Sequence, residues 1–254
     1  MNDAATAMLS IQGLCKSFSG FVATNDVDFT LHAGETHAVI GPNGAGKTTF
    51  FNLITGHLRA DRGTVRFEGM DLVGQPPARI VRMGIARSFQ RINIFPRLTV
   101  FENVQVALIA HAGQQWNLLR PGRSMHRAAT AELLALVGLD SEAAGIAGEL
   151  SYGKQKQLEL AIALASRPRL LLLDEPTAGM SPQETIEAIA LVRDIVRARG
   201  LTLLFTEHDM SVVFGIAERI SVLHHGEIIA TGTPDAVRND PEVKRIYLGE
   251  QGHA

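Results

Sequence analysis

A glycine-rich run with a lysine and a threonine stands between two apolar segments early in the chain. Gly41–Thr48 reads Gly-Pro-Asn-Gly-Ala-Gly-Lys-Thr, after a strand-like segment and before a helix-like one. Glycines let the backbone turn tightly enough to aim successive N–H groups at phosphates, and a helix N-terminus adds the positive end of its dipole. The run predicts a nucleotide phosphate site in which Lys47 reaches the β- and γ-phosphates and the Thr48 hydroxyl binds Mg²⁺. The residues expected to contact the nucleotide here are Gly41, Pro42, Asn43, Gly44, Ala45, Gly46, Lys47, Thr48 and Thr49.

Two acidic residues follow a run of four leucines farther along the chain. Leu170–Leu173 is typical of a buried strand, and Asp174 and Glu175 come directly after it. Open α/β sheets bind ligands at the carboxyl ends of their strands, so we expect both carboxylates beside the phosphate loop. Asp174 suits a magnesium ligand, directly or through water, and Glu175 suits a catalytic residue that orients or deprotonates water. The two motifs together indicate hydrolysis of a nucleoside triphosphate. A solvated acidic pair is the alternative interpretation of the second motif.

A second anion site is expected near residue 150. Leu150–Gln155 reads Leu-Ser-Tyr-Gly-Lys-Gln and precedes residues with helical apolar periodicity. A serine and the N–H groups of a helix N-terminus can bind an anion, although Ser151 in isolation would be interpreted as a helix cap. In company with a phosphate loop, the run predicts a further phosphate contact.

The elements that would position these residues alternate between strand and helix, which favours an α/β fold with a mainly parallel sheet. Residues 9–40 form a β-rich segment, and residues from about 91 to 165 predict an inserted helical subdomain. A capping box at Ser181 predicts a helix to Arg199. Further strands are predicted near 64–67, 85–89, 170–173, 201–205 and 220–223. One domain, residues 1–254, with a helical C-terminal tail at about 234–250, is the expected organisation.

Composition argues against a nucleic-acid-binding protein, a disulfide-rich protein and a membrane-spanning protein. The 254 residues are 46% apolar, and the net charge of −2 without a long basic run argues against nucleic acid as a partner. A single cysteine, Cys15, excludes an intramolecular disulfide framework and is typical of a reducing cytosol. The N-terminus has no basic region typical of a signal peptide, and the most apolar stretch, Leu158–Leu173, is interrupted by charges and a proline. We therefore expect no segment that crosses a bilayer.

These motifs, in this order, make the chain resemble the ATPase family of ABC (ATP-binding cassette) transporters from about Leu9 to Leu248. The residues that carry the resemblance are Gly41–Thr48 as Walker A, Gln90 in Arg87–Gln90 as the Q-loop, Leu150–Gln155 as the signature, Leu170–Glu175 as Walker B, Ala178–Ser181 as the D-loop and His208 as the switch. The resemblance implies a P-loop NTPase core, an N-terminal antiparallel β subdomain and the inserted helical subdomain. It also implies ATP and Mg²⁺ as cofactors.

The same resemblance implies a head-to-tail dimer in which the Walker motifs of one subunit and the signature of the other enclose each ATP. Ser151 and Gly153 would contact the γ-phosphate bound to the opposite subunit. Gln90 would bind Mg²⁺ or the attacking water and relay its state to a membrane partner. His208, which in isolation would more often be a structural histidine, would act in catalysis by holding the γ-phosphate and Glu175 in line.

Four further residues bear on this resemblance, one aromatic residue and three departures from the common pattern. Phe18 resembles the aromatic residue that stacks on adenine, with a core residue of the β-rich segment as its alternative interpretation. Tyr152 replaces a frequent glycine of the signature, Lys154 stands where glutamine is usual, and Ser181 stands where many members have aspartate. The cross-dimer contact of that aspartate is therefore not transferred, and Ser181 is interpreted chiefly as a helix cap.

Finer features resemble the ATPases of branched-chain amino acid importers, namely Arg87–Gln90, Phe95–Val104, Tyr152 and the tail after Thr233. An importer ATPase would work on the cytoplasmic face of the inner membrane with permease subunits, a second ATPase that is identical or related, and indirectly a periplasmic solute-binding protein. The tail also resembles that of the lipopolysaccharide-export ATPase, so an export or lipid-extraction system is an alternative. A soluble ABC protein that acts on ribosomes or DNA is a third, although such proteins usually have tandem cassettes or a long coiled-coil insertion.

Overall fold

The computed structural model describes residues 7–88, 92–114 and 121–249. In chain order its strands are β1 (Ala7–Phe18), β2 (Phe21–His32), β3 (Thr36–Ile40), β4 (Arg62–Phe67), β5 (Met70–Asp71), β6 (Ile85–Ser88), β7 (Leu170–Asp174), β8 (Thr202–Thr206), β9 (Arg219–His224) and β10 (Glu227–Gly232). Its helices are α1 (Lys47–Ile54), α2 (Pro77–Arg82), α3 (Val100–His111), α4 (Arg127–Leu136), α5 (Tyr152–Leu164), α6 (Pro182–Arg199), α7 (Met210–Ile216), α8 (Pro234–Asn239) and α9 (Pro241–Gly249).

The described residues divide into two compact units, the first lying within residues 1–80 and 201–254 and the second within residues 81–200. In the first unit, β2, β1, β4 and β5 form an antiparallel sheet in that order. Another row of strands runs β10, β9, β3 and β8, in which β3 is parallel to both neighbours and only β10 is antiparallel. The predicted parallel sheet and the antiparallel N-terminal segment are both confirmed.

A buried row of hydrogen-bonded polar side chains holds β3, the strand that leads into the phosphate loop, against its neighbours. The Nδ1 atom of His37 bonds the carboxylate of Glu35 at 2.9 Å, and its Nε2 atom bonds the Ser221 hydroxyl at 2.9 Å. That hydroxyl also bonds the Thr231 hydroxyl on β10 at 2.8 Å. Burial raises the pKa of Glu35, but the hydrogen bonds from His37 and the backbone outweigh burial and hold that pKa below its usual value. Three strands are thereby held in one register.

The second unit contains the parallel pair β6 and β7, with α3, α4 and α5 between them in sequence. These three helices pack against one another, and α5 also contacts β6 and α6. A helical region inserted between strands is therefore present where it was predicted. The limits of the subdomain at 91–165 and of the C-terminal tail at 234–250 stay predictions, although α8 and α9 lie in the latter range.

Within the residues that the structure describes, every helix is too short or too polar to span a lipid bilayer.

Candidate functional site

The phosphate loop joins β3 to α1, and its shape depends on residues that lack a side chain. Gly44 and Gly46 have φ angles of 81° and 110°, in the left-handed region that other residues rarely adopt. A Cβ atom on Gly41 would lie 2.1 Å from the carbonyl oxygen of Leu223. One on Gly46 would lie 2.2 Å from the carbonyl oxygen of Ala23. Both ends of the loop therefore accept only glycine.

Lys47 is the first residue of α1 and is 7% exposed. Its ammonium group donates hydrogen bonds to the carbonyl oxygens of Gly41 at 2.6 Å and Pro42 at 3.1 Å, which holds the charge over the loop. Thr48 follows with an exposed side chain. The N-cap residue, Gly46, has no side chain that could accept the first amide hydrogens of the helix. Helix amides and a lysine charge thus converge where an anion is bound most favourably.

The hairpin of β1 and β2 packs against this loop, because the carbonyl group that approaches Gly46 belongs to Ala23 on β2. Phe18 lies at the end of β1 and pairs with Phe21 across the hairpin. It is 41% exposed, with the Lys16 ammonium 5.4 Å from the ring centroid. This exposure rules out the interpretation of Phe18 as a core residue. Its contact with adenine stays a prediction.

His208 lies at the same edge of the first unit as the phosphate loop. It follows β8, which runs parallel to β3 with Phe205 opposite Ala38, so both strands leave the sheet at one edge. The side chain of His208 is exposed, and its backbone N–H donates to the buried carboxylate of Glu207 at 3.1 Å. This placement suits contact with a phosphate, and that contact stays a prediction.

Asp174 is the last residue of the buried strand β7 of the second unit, and Glu175 follows it directly. Asp174 is 3% exposed, and its Oδ2 atom accepts a hydrogen bond from Nη2 of Arg87 at 2.7 Å. Glu175 has a φ angle of 51°, which is uncommon for a residue other than glycine, so the chain turns sharply at this residue. Such strain is concentrated at functional sites. The strand thus presents one carboxylate held by an arginine and a second one on a strained turn. Their predicted place beside the phosphate loop stays a prediction.

The signature run begins α5 of the second unit. Ser151 is the N-cap residue, and its Oγ atom accepts a long hydrogen bond of 3.5 Å from the backbone of Lys154. The side chains of Ser151 and Tyr152 are exposed. Gly153 lies beside Glu184, because a Cβ atom on it would lie 3.1 Å from Oε1 of that residue. A serine hydroxyl at an exposed helix start is the arrangement that a second anion site requires.

Two departures from the family pattern have structural explanations in this unit. The ammonium group of Lys154 donates to Glu142, and this bond lowers the pKa of that carboxyl. Ser181 caps α6, since its Oγ atom accepts a hydrogen bond from the backbone N–H of Glu184 at 3.4 Å. In return, its backbone N–H and its hydroxyl donate to Oε2 of Glu184 at 2.9 and 2.8 Å. The same two bonds lower the pKa of Glu184. The predicted capping box is confirmed.

Gln90, predicted to bind Mg²⁺ or water, lies outside the described residues. Arg87, the partner of Asp174, received no role from the sequence. A charged residue inside the short strand Ile85–Ser88 could have indicated a buried ion pair, because a buried charge almost always has a partner.

Relatives match almost the whole chain, and two family models match separate parts of it. A model described as ABC transporter matches residues 24–178, and one described as branched-chain amino acid ATP-binding cassette transporter matches residues 227–253. The chain is 40% identical over 252 residues to the high-affinity branched-chain amino acid transport ATP-binding protein LivG of Escherichia coli K12, covering 96% of this chain and 98% of LivG. It is 36% identical over 245 residues to the lipopolysaccharide export system ATP-binding protein LptB of Haemophilus influenzae, covering 96% of this chain and 98% of LptB.

Solved structures share the fold. The ADP conformation of MJ1267, an ATP-binding cassette of an ABC transporter, has a TM-score of 0.84 at 32% identity and covers 96% of this chain and 99% of its own. A dimeric post-hydrolysis state of the ATP-binding cassette MJ0796, bound to ADP and phosphate, has a TM-score of 0.77 at 25% identity and covers 89% and 99%. The resemblance that the motifs carry is thus confirmed. The chain belongs to the ABC transporter family, as one of its ATP-binding and ATP-hydrolysing cassettes.

Proposed function

We propose that this ATPase powers the import of branched-chain or related amino acids through separate membrane subunits. The observation that carries the transported class is the match of residues 227–253 to the branched-chain amino acid cassette model. The identity of 40% to LivG over nearly the full length of both chains supports the same class. The solute itself would be bound by the membrane subunits and a periplasmic binding protein rather than by this chain.

Each part of the hydrolytic reaction is assigned to a residue that the structure places at a strand or helix end. Lys47 binds the β- and γ-phosphates, Glu175 orients or deprotonates the water, and His208 holds the γ-phosphate in line. Phe18 stacks on the adenine, an interaction worth about 1–3 kcal/mol with little base selectivity. The remaining proposed nucleotide contacts are Gly41, Pro42, Asn43, Gly44, Ala45, Gly46, Thr48, Thr49 and Gln90.

The oxygen donors assigned to the metal in this proposal are of the kind that Mg²⁺ prefers. In the described ranges, His, Cys, Asp and Glu form no group of three or more that could hold a metal. Mg²⁺ usually keeps several waters and takes one or two carboxylates together with substrate phosphates. A hydroxyl from Thr48 and a carboxylate from Asp174 match this demand, with Gln90 as a further oxygen donor. Mg²⁺ bound there would neutralise charge on the phosphates during transfer.

Dimerisation completes the proposal. Ser151 and Gly153 would contact the γ-phosphate of ATP held by a second ATPase subunit, either another copy or a related chain. The dimeric state of MJ0796 supports this assembly. Half of each catalytic site would then come from another chain, on the cytoplasmic face of the membrane.

Export of lipopolysaccharide is the alternative function, supported by the identity of 36% to LptB. The segment 227–253 favours import, since the model that it matches is described by branched-chain amino acids. A soluble role on ribosomes or DNA has no such support.

Purification from native membranes tests which system the chain serves. A tagged chain is recovered after mild detergent extraction, and its co-purifying membrane proteins are identified by mass spectrometry, with membranes from cells that hold the untagged chain as control. We expect two permease subunits of an amino acid importer and a second ATPase. Recovery with lipopolysaccharide-export membrane subunits instead would contradict import.

A further inference from the structure

A buried ion pair joins the proposed magnesium carboxylate to the strand before Gln90. Nη2 of Arg87 lies 2.7 Å from Oδ2 of Asp174, and the two side chains are only 5% and 4% exposed. A contact this short between a guanidinium and a carboxylate is a charge-assisted hydrogen bond. Both partners belong to the second unit of the chain.

The register of two parallel strands brings these residues together. Arg87 of β6 pairs with Leu172 of β7. Side chains two residues apart on a strand point to the same face, so Asp174 lies on the face of the sheet that Arg87 occupies. The long arginine side chain spans this diagonal step. The contact therefore follows from the pairing of the strands.

The charge on Arg87 is permanent. A guanidinium is not deprotonated in proteins, so the side chain of Arg87 keeps its positive charge at every pH at which the protein is folded. Water screens a buried pair only weakly, so this neighbour offsets part of the negative potential of the carboxylate. Mg²⁺ that binds Asp174 must therefore share the carboxylate with a fixed positive charge.

We propose that Arg87 is a positioning residue for the magnesium site, an inference that rests on the proposed role of Asp174. The guanidinium holds the carboxylate in one orientation and lowers the intrinsic affinity of the site for Mg²⁺. The negative charge of a nucleotide would then be needed to hold Mg²⁺ at Asp174, so binding of the cation would depend on the nucleotide.

The test measures how Mg²⁺ supports the binding of ADP to the full-length chain. ADP is titrated into the protein by calorimetry at a series of free Mg²⁺ concentrations. The midpoint is the Mg²⁺ concentration at which half of the Mg²⁺-dependent increase in ADP affinity is reached. Because ADP is not hydrolysed, the readout does not depend on turnover. In Arg87→Met we expect this midpoint to fall on the order of tenfold, because a unit charge at short range shifts cation binding at least that much.

Matched variants separate this role from a merely structural one. Arg193→Met removes the same charge from an exposed position on α6 and is expected to leave the midpoint unchanged. Arg87→Gln, which is neutral and can still donate to Asp174, is the second variant if Arg87→Met does not fold, and thermal unfolding identifies the folded proteins. An unchanged or higher midpoint in a folded Arg87 variant overturns the inference alone. ADP binding to the wild-type chain that ignores Mg²⁺ overturns the proposed magnesium role together with it.

Discussion

Replacing Glu175 by glutamine is expected to lower ATP hydrolysis by about 10²–10⁴-fold, the usual contribution of a general base. Glutamine has nearly the same shape as glutamate but cannot take a proton from water. The phosphate loop and Asp174 are unchanged, so Mg-ATP still binds, and the closed dimer should accumulate because the step that reopens it is blocked. Phosphate release gives the rate, and size-exclusion chromatography with ATP gives the dimer.

The control for this variant is Glu187→Gln, which removes a carboxylate from an exposed position of α6. We expect it to hydrolyse ATP at the wild-type rate. Normal turnover in Glu175→Gln would refute the catalytic role of this carboxylate. Loss of Mg-ATP binding in Glu175→Gln would show instead that Glu175 serves to hold the nucleotide.

Lys47→Ala should weaken ATP binding by about 10- to 100-fold, because charge-assisted hydrogen bonds contribute roughly 1.5–3 kcal/mol each. The buried ammonium already lies over the loop, bonded to the Gly41 and Pro42 carbonyls, so little rearrangement is needed to reach phosphate oxygens. Equilibrium titration with a fluorescent ATP analogue gives the affinity. The Lys47→Ala variant should also lose ATP hydrolysis.

Two comparison variants define what this loss means. Lys244→Ala, on the exposed face of α9, is expected to bind ATP normally. Ser151→Ala should also retain ATP affinity but lose turnover, because its hydroxyl is proposed to serve the nucleotide of the opposite subunit. Wild-type ATP affinity in Lys47→Ala would contradict the phosphate assignment, and lower affinity in Ser151→Ala in dilute monomer would contradict the assignment across the dimer.

The parts of the site that are local in sequence could be predicted from it. The phosphate loop needs glycines because the left-handed φ angles of Gly44 and Gly46 and the closeness of neighbouring carbonyls admit nothing else. The cap of α6 depends on Ser181 and Glu184, which are three residues apart. Such features are encoded within a few residues, and periodicity then identifies the strands that carry them.

The features that depend on tertiary packing could not be predicted in the same way. Lys156 and Glu159, 3.6 Å apart, are both buried on α5, although charges on a helix usually mark a solvated face. Their burial follows because α5 is contacted by α3, α4, β6 and α6. Arg87 likewise acquires its partner only from the register of β6 and β7, and the strained φ of Glu175 has no local sequence signal.

ATP-driven uptake in reconstituted vesicles tests the proposed function most directly. The chain is assembled with its membrane subunits in proteoliposomes, with ATP on the side of the membrane to which the chain is bound and the solute-binding protein on the opposite side. Entry of radiolabelled leucine is measured together with phosphate release. If the chain powers import of branched-chain amino acids, leucine uptake requires ATP and stops in the Glu175→Gln variant. The Glu187→Gln variant supports the full rate of leucine uptake. Uptake that continues with Glu175→Gln, or ATP-driven extraction of lipopolysaccharide without any uptake of amino acid, would contradict it.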